Sequence, residues 1–237
     1  MPNTFQIDSL SDLIDFVDGF DRSNMVLFRG QQREQWPLLP KIARIKKGAC
    51  TLKDELDILT EFKKGAYSFI HNRPANEWGW LAIAQHHGLA TRVLDWSLNP
   101  LVALWFAVKD APHEDRNGIL WMYSLNQRSV INTLRLDEEP DPFKLDRVKV
   151  FFPNHEVPRI RAQAGVFTVH PRVMPNKVFL PFEEMQIDHE SLTRMIIPCG
   201  LFEKLKRSLD KCGIHAAALM PDLDGLAQRI IFNHDYS

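Results

Sequence analysis

The amino-acid sequence predicts a single α+β domain, in which several helices pack with small mixed or antiparallel sheets. Apolar residues recur with helical spacing in several separate segments, and short β-branched or aromatic runs lie between them. The 237 residues contain no internal repeat, linker or low-complexity stretch. We therefore expect one domain over residues 1–237, with its core between about residues 20 and 230.

The first third of the chain predicts a helix, a strand and a second helix. Ser9 or Asp8 can cap the first helix, which carries apolar residues on one side. Residues 25–28 are a short apolar run typical of a buried strand, and they lead directly into the Arg-Gly-Gln sequence of 29–31. A rigid Trp-Pro-Leu-Leu-Pro loop follows, and Thr51 begins a long helix.

The central stretch, residues 81–108, holds the densest polar chemistry of the chain. Asn76 can cap a helix that ends at Gly88, and Asn99–Pro100 can begin a second, almost wholly apolar helix. The connector HHGLATRVLDWS lies between these two helices. Polar groups on a short connector between buried helices must find partners or form a site.

The second half of the chain has fewer strong signals. Its most informative segment, RIRAQAGVFTVHP at 159–171, alternates polar and small residues before a β-rich run, which predicts that Arg159, Arg161, Gln163 and Gly165 share one strand face. The acidic run at 137–142 indicates a solvated loop or the lip of a cleft. The remaining predicted elements are strands at 119–123, 178–180 and 195–197 and helices at 201–212 and about 222–232.

Composition argues against several classes of protein. The formal net charge is −1, so no global charge favours nucleic acid or anionic membranes, and no apolar run reaches the ~20 residues needed to cross a bilayer. The N-terminus lacks a signal-peptide pattern. Cys50, Cys199 and Cys212 are far apart, which predicts neither a disulfide framework nor a cysteine metal site. We expect a cytoplasmic protein that is not bound to membranes or to nucleic acid.

Two positions suggest a polar site by their chemistry. Arg29 follows an apolar strand and precedes a glycine, so an anion could approach the backbone and meet a fork of donors; the alternative is an ion pair with a carboxylate such as Asp95. His86 and His87 lie at a helix end, where the dipole favours their protonated forms. At most one of them is expected to face a common site, and each could instead serve in capping or packing.

Trp96 and Gln163 leave two interpretations open. Trp96 can stack on a planar ligand or fill the core, and the core is the more common role of a tryptophan in such a position. Gln163 can bind a ligand hydroxyl or amide, or it can satisfy a neighbouring strand.

Four motifs together resemble the FRG domain family. They are the Phe-Arg-Gly sequence at 28–30 with Trp36 after it, AQHHGLATRVLDWSLNPLVALWFA at 84–107, RIRAQAGVFTVHP at 159–171 and GIHAAALMPDLDGLA at 213–227. The family takes its name from the first of these motifs. The resemblance extends over nearly the whole chain, but the family name does not itself supply a reaction.

The order of the motifs is also distantly similar to arginine-type ADP-ribosyltransferases. In those enzymes an arginine at a strand end precedes a Ser-Thr-Ser strand and a Val-Ala-x-x-Phe-Ala helix, as Arg29 precedes Asp95–Ser97 and Val102–Ala107 here. Only Ser97 matches the Ser-Thr-Ser pattern. The catalytic glutamate of that family would fall near residues 163–165, where this chain has no carboxylate.

This similarity implies NAD as a substrate, cleaved in a cleft around Arg29 by an ADP-ribosyltransferase or NAD glycohydrolase. Arg29 would hold a pyrophosphate or ribose, Asp95 would stabilise an oxocarbenium ion, and His86 or His87 would orient a hydroxyl or nucleophile. Gln163 would bind a ribose or carboxamide. The ligand-binding residues would be Gly30, Gln31, Trp36, Thr91, Arg92, Trp96, Ser97, Asn99 and Phe167.

Two other functions remain as alternatives. The first is a non-catalytic module that binds a nucleotide-like molecule or a protein through the same cleft. The second is a metal-dependent hydrolase with His86, His87, Asp95 and His113 as ligands, although their spacing matches no metal signature and no metal is expected. By analogy, an NAD-consuming domain suits microbial conflict or phage defence, with a protein target or a neutralising partner.

Overall fold

A mixed seven-stranded sheet runs through the centre of the protein. The computed structural model describes residues 2–20, 25–48, 50–70, 72–110, 116–125, 130–131, 139–153, 158–171, 178–185 and 191–235. The strands are β1 Asn3–Gln6, β2 Met25–Gln31, β3 Val93–Ser97, β4 Gly118–Leu125, β5 Lys149–Phe151, β6 Gly165–Val169 and β7 Ser191–Ile197. Their order is β1-β7-β4-β2-β3-β6-β5, with β1 parallel to β7 and every other pair antiparallel. The α+β prediction is confirmed, with one sheet in place of several small ones.

Eight helices accompany the sheet in the described residues. They are α1 Leu10–Asp18, α2 Leu52–Ala66, α3 Glu77–His86, α4 Pro100–Val108, α5 Pro158–Ala162, α6 Phe202–Lys211, α7 Ala216–Leu219 and α8 Leu223–Asp235. Short 3₁₀ segments lie at Lys41–Gly48, Phe182–Glu184 and Cys199–Leu201. Among the helices described, none is both long enough and apolar enough to span a membrane.

The predicted caps form as hydrogen bonds. Ser9 accepts from the Asp12 amide, Asn76 accepts from the Gly79 amide, and Asn99 accepts from the Leu101 amide. Thr51 forms a reciprocal capping box with the residue three positions later. These starts are local features of the chain, because each cap satisfies an amide within its own first turn.

The two faces of the sheet carry separate apolar cores. Along β4, Leu120 and Met122 pack with the cluster that includes α4 and α6, whereas Trp121 and Tyr123 pack with the cluster on the other face. All eight residues of β4 are buried, and the strand lies within the sheet between β2 and β7. A third cluster joins α2 and α3 to β6.

Several predicted elements differ in the structure. Residues 158–162 form the helix α5, so Arg159 and Gln163 lie four residues apart on one helical turn and do not alternate along a strand. The predicted strand at 178–180 is absent from the described residues; Val178 and Leu180 are exposed, and Pro181 follows them. Strands β1, β3 and β5 were missed because each is short and lacks a long alternating pattern. Residues 111–115, with His113, and 137–138 of the acidic run lie outside the described residues.

His170 is a buried histidine immediately after β6. Its side chain is 0% exposed beside Phe179 and Phe182, and neither ring nitrogen has a hydrogen-bond partner among the described residues. Burial, with the charges of Arg92 and Arg29, lowers the pKa of His170 to about 3. Between this value and the ordinary histidine pKa of about 6.5, the unfolded chain binds more protons than the folded one. The neutral ring therefore contributes stability that is complete above pH 6.5 and is lost as the pH falls towards 3.

Replacing His170 by phenylalanine is expected to weaken the acid sensitivity of the fold. When the pH is lowered from 7 to 5, His170 should reduce the free energy of unfolding of the unmodified protein by about 2 kcal/mol. The variant should not show this reduction. Urea denaturation at both pH values measures the difference, with the exposed His234→Phe as control. Equal pH dependence of His170→Phe and the unmodified protein would contradict the assignment.

Candidate functional site

The sheet opens between β2 and β3. These two strands share one registered pair, Phe28 with Ser97, whereas β2 pairs with β4 over its full length and β3 pairs with β6 over its full length. The Arg29 side chain bridges the opening, where its Nη1 donates a hydrogen bond of 2.6 Å to the backbone carbonyl of Asp95. The gap leaves room for a cleft at the centre of the sheet.

A cavity of about 630 Å³ occupies this opening, and we call it the central cavity. Its volume lies within the range of small-molecule sites, roughly 300–1,000 Å³. Four distant pieces of the chain line it: β2, the 3₁₀ segment Lys41–Gly48, the stretch from the end of α3 through β3 to α4, and the segment from α5 to β6. All five residues predicted to be catalytic line the central cavity, namely Arg29, His86, His87, Asp95 and Gln163.

Arg29 retains hydrogen-bonding capacity inside the cavity. One guanidinium nitrogen is bound to the Asp95 carbonyl, but Nε is buried without a partner among the described residues. Burial lowers the pKa of Arg29, Asp95 opposes this shift, and the charge of Arg44 adds to it. A buried donor without a partner is energetically unfavourable, so an acceptor on a ligand would satisfy it. The alternative prediction, an ion pair between Arg29 and the Asp95 carboxylate, is not observed, because Arg29 contacts the main-chain carbonyl of Asp95.

The Asp95 carboxylate is held by a short chain of hydrogen bonds. The Thr91 hydroxyl donates to Gln85 Oε1 at 2.6 Å, and Gln85 Nε2 donates to Asp95 Oδ2 at 2.7 Å. This chain fixes the amide orientation of Gln85 and orients the carboxylate of Asp95, the central and only exposed residue of β3. Gln85 was missed by the sequence analysis, although it lies next to His86 and lines the cavity.

Both histidines line the cavity, in contrast to the expectation that at most one would. Helix α3 ends at His86, and His87 is its C-cap residue with φ −84° and ψ 11°. They meet edge to face with centroids 4.9 Å apart. Burial, His87 and Arg159 lower the pKa of His86 and Asp95 opposes this shift, so this environment favours the neutral ring and acts against the helix dipole. A neutral imidazole can accept a proton.

Gln163 connects the cavity to the end of the chain. The side-chain Nε2 of Gln163 donates to the main-chain carbonyl of Leu219 at 3.0 Å. The main-chain carbonyl of Gln163 accepts from the Ser97 hydroxyl at 2.7 Å. The amide nitrogen is therefore engaged by α7, which leaves the amide oxygen for a ligand hydroxyl. This contact explains how the closing segment of the chain contributes to the site.

The cavity wall carries more positive than negative formal charge. Besides Arg29, the cations Lys41, Arg44 and Arg159 line it, and Asp95 is the single carboxylate among its described lining residues. Lys41 donates to the Gly88 carbonyl, where Gly88 has φ +77° at the end of α3. No sequence pattern points to these three cations, because they come from a 3₁₀ segment and a helix that only the fold brings to β3. Such a wall favours an anionic ligand.

Among the residues predicted to bind a ligand, some line the central cavity and others do not. Gly30, Ser97 and Phe167 line it. Trp96 contributes to the wall, but its side chain is 3% exposed, donates to the Thr168 hydroxyl and packs against Tyr123 and Phe182. Trp96 therefore fills the core, the second of the two predicted roles, and does not present its ring for stacking on a ligand.

The other five predicted ligand-binding residues do not line the central cavity. Thr91 belongs to the hydrogen-bond chain below Asp95, and Arg92 forms a buried ion pair with Glu55. Asn99 caps α4, and Gln31 accepts a hydrogen bond from Trp121. Trp36 is exposed and lines a neighbouring cavity instead.

The structure gives a different reason for glycine at position 30 from the one that the sequence predicts. A Cβ atom at this position would lie 1.9 Å from the Ala103 carbonyl oxygen and 2.7 Å from the Ala107 amide nitrogen. The missing side chain therefore admits the backbone of α4 against β2, not an approaching anion. The helix that follows β3 is held next to the opening of the sheet by this contact.

The described residues contain no group of three His, Cys, Asp or Glu side chains that could hold a metal ion. His86, His87 and Asp95 share a cavity without converging as three ligands, and His113 lies outside the described residues. No observation in the described residues supports the predicted alternative of a metal-dependent hydrolase.

The comparisons with known proteins give one result. The model of the FRG domain family matches residues 24–116, a range that contains β2, α3, β3 and α4. The match thus includes Arg29, both histidines and Asp95, and it ends before α5 and β6. Neither a curated protein nor a solved structure matches the chain.

Proposed function

Since the chain contains an FRG domain, we propose that the central cavity of this domain binds NAD and cleaves its nicotinamide–ribose bond. One observation carries the proposal: Arg29, with a buried Nε that lacks a partner among the described residues, lies beside an oriented carboxylate in a cation-rich cavity. A phosphate-bearing ligand would satisfy the guanidinium. The carboxylate would then face a sugar that becomes positively charged.

The proposed reaction uses the cavity residues as follows. The bond between C1′ of the ribose and the nicotinamide nitrogen breaks, and nicotinamide leaves as a neutral molecule with the bonding electron pair. The Asp95 carboxylate stabilises the oxocarbenium ion that remains. A nucleophile, water in the simplest case, then forms a bond to C1′ and transfers its proton to the neutral His86. With water, the products are ADP-ribose, nicotinamide and a proton.

Calorimetric titration with NAD and an assay of nicotinamide release test this function. Arg29→Lys is expected to weaken NAD binding about tenfold, because lysine lacks the planar fork of donors. Asp95→Asn is expected to lower the release rate about 100-fold with little change in affinity, because it removes the charge needed in the transition state. The surface substitutions Arg207→Lys and Asp146→Asn are matched controls.

Two outcomes decide the proposal. Binding with Asp95-dependent release supports the proposal. Neither binding nor release at millimolar NAD would contradict it. Both a transferase and a glycohydrolase release nicotinamide in the first step of the reaction. The assay therefore detects either activity, whatever the acceptor.

A binding module without turnover is the second candidate function. The observation that favours it is the single carboxylate among the described lining residues, in place of the glutamate that the family resemblance requires. Gln163 stands in that region, and its amide nitrogen is already engaged. Tight NAD binding that depends on Arg29, with no nicotinamide released, would support this candidate.

A further inference from the structure

A second cavity of about 460 Å³ adjoins the central one, and we call it the side cavity. Four residues line both cavities: Arg29, Gly30, Arg44 and Phe106. Because they share walls on β2, the 3₁₀ segment and α4, the two spaces meet at Arg29 and Arg44. A single extended molecule can therefore occupy both.

The junction between the cavities is cationic. Arg44 is exposed and has no ion pair with another residue that the structure describes, and its charge is close enough to Arg29 to disfavour the charged form of that guanidinium. Two guanidinium groups of like charge repel each other in the absence of a counter-ion. An anion with several oxygens between them would remove that repulsion and accept from both forks.

The side cavity offers an aromatic surface. The Trp36 side chain is 43% exposed, and the following residues, Pro37 and Leu39, also line the cavity. The guanidinium of Arg33 lies 5.2 Å from the centre of the Trp36 ring. The indole lies on a loop stiffened by Pro37 and Pro40, so little conformational freedom would be lost if a planar base stacked on it.

We infer that the two cavities form one bipartite site, in which Arg29 and Arg44 bind the pyrophosphate of a dinucleotide and Trp36 stacks on its distal base. The inference rests on the proposed function, because that function places the reacting ribose next to Asp95 in the central cavity. It places the adenine half of NAD in the side cavity. The site then recognises ligands with a pyrophosphate and a second nucleoside more tightly than it recognises a ribose phosphate alone.

Binding of ADP-ribose and of ribose 5-phosphate, measured by calorimetry, tests the bipartite site. The unmodified protein is expected to bind ADP-ribose at least about tenfold more tightly, since stacking of one base contributes roughly 1–3 kcal/mol. Trp36→Ala should weaken ADP-ribose binding about tenfold and leave ribose 5-phosphate binding unchanged, and Trp36→Phe should restore most of the loss. Arg44→Gln should weaken ADP-ribose binding more than ribose 5-phosphate binding.

Tyr67→Ala provides the matched control. Tyr67 is also an exposed aromatic residue with an arginine, Arg73, over its ring, but it lines neither cavity. Its substitution should change neither affinity. Equal affinities for the two ligands, with no effect of Trp36→Ala, would overturn the bipartite site while leaving the proposed function standing. Failure of both ligands and of NAD to bind would overturn the two together.

Discussion

Replacing Arg92 by methionine is expected to lower the free energy of unfolding by about 3–5 kcal/mol. Arg92 and Glu55 are 1% and 3% exposed, and the guanidinium binds the carboxylate through two hydrogen bonds of 2.9 and 2.6 Å. The substitution leaves the Glu55 charge buried without its counter-ion. Because Arg92 directly precedes β3 and Glu55 lies on α2, this pair holds the helical layer against the strand that carries Asp95.

Two further variants show whether the loss comes from the unpaired charge. Arg207→Met removes an exposed arginine that lies 3.7 Å from Glu203, and it should change stability by less than about 0.5 kcal/mol. The double variant Arg92→Met with Glu55→Leu should recover most of the loss, because neither charge is then buried alone. Denaturant unfolding measures all three. A double variant as unstable as Arg92→Met alone would contradict this account and would indicate lost packing over Phe143, which lies 4.9 Å from the guanidinium.

Replacing Gly30 by alanine is expected to destabilise the fold by about 3 kcal/mol, the upper end of the usual overpacking range. The added methyl group would lie within 1.9 Å of a backbone oxygen of α4, and backbone atoms cannot move aside as the end of a flexible side chain can. Helix α4 must therefore shift away from β2, which also alters the junction of the two cavities.

Gly65→Ala is the matched control for this substitution. Gly65 lies in α2 with nothing within 4 Å of an added Cβ atom, so alanine there should raise stability by about 0.5–1 kcal/mol. Thermal and denaturant unfolding of the two variants give the comparison. A Gly30→Ala variant that is as stable as the unmodified protein would show that the close approach of α4 is not needed.

The three residues of the Phe-Arg-Gly motif thus have three different environments. Phe28 is buried in the cluster with α4, Arg29 bridges the opening between β2 and β3, and Gly30 admits the backbone of α4. Alternation along a strand explains the difference, because Phe28 and Gly30 lie on one face and Arg29 on the other. A short motif can therefore combine packing with a site.

The chain of hydrogen bonds through Gln85 illustrates what pattern reasoning misses. Gln85 and Thr91 are six residues apart and belong to a helix end and a loop, so no periodicity connects them. Their contact exists because α3 turns back onto β3 at Gly88, whose positive φ allows the reversal. Similarly, Arg159 reaches the cavity from α5 and Gln163 from the turn directly after it, although their spacing in the sequence predicts a strand.

The sequence by itself determined the α+β class, the starts of α1 to α4 and the residues of the central motif, because caps and apolar spacing act within a few residues of one another. Only the tertiary structure decided which polar residues meet. The opening between β2 and β3, the cations Lys41, Arg44 and Arg159 and the side cavity at Trp36 all depend on contacts between distant segments. The core role of Trp96 and the ion pair of Arg92 were decided in the same way, since burial is a property of the packed sheet and not of the local sequence.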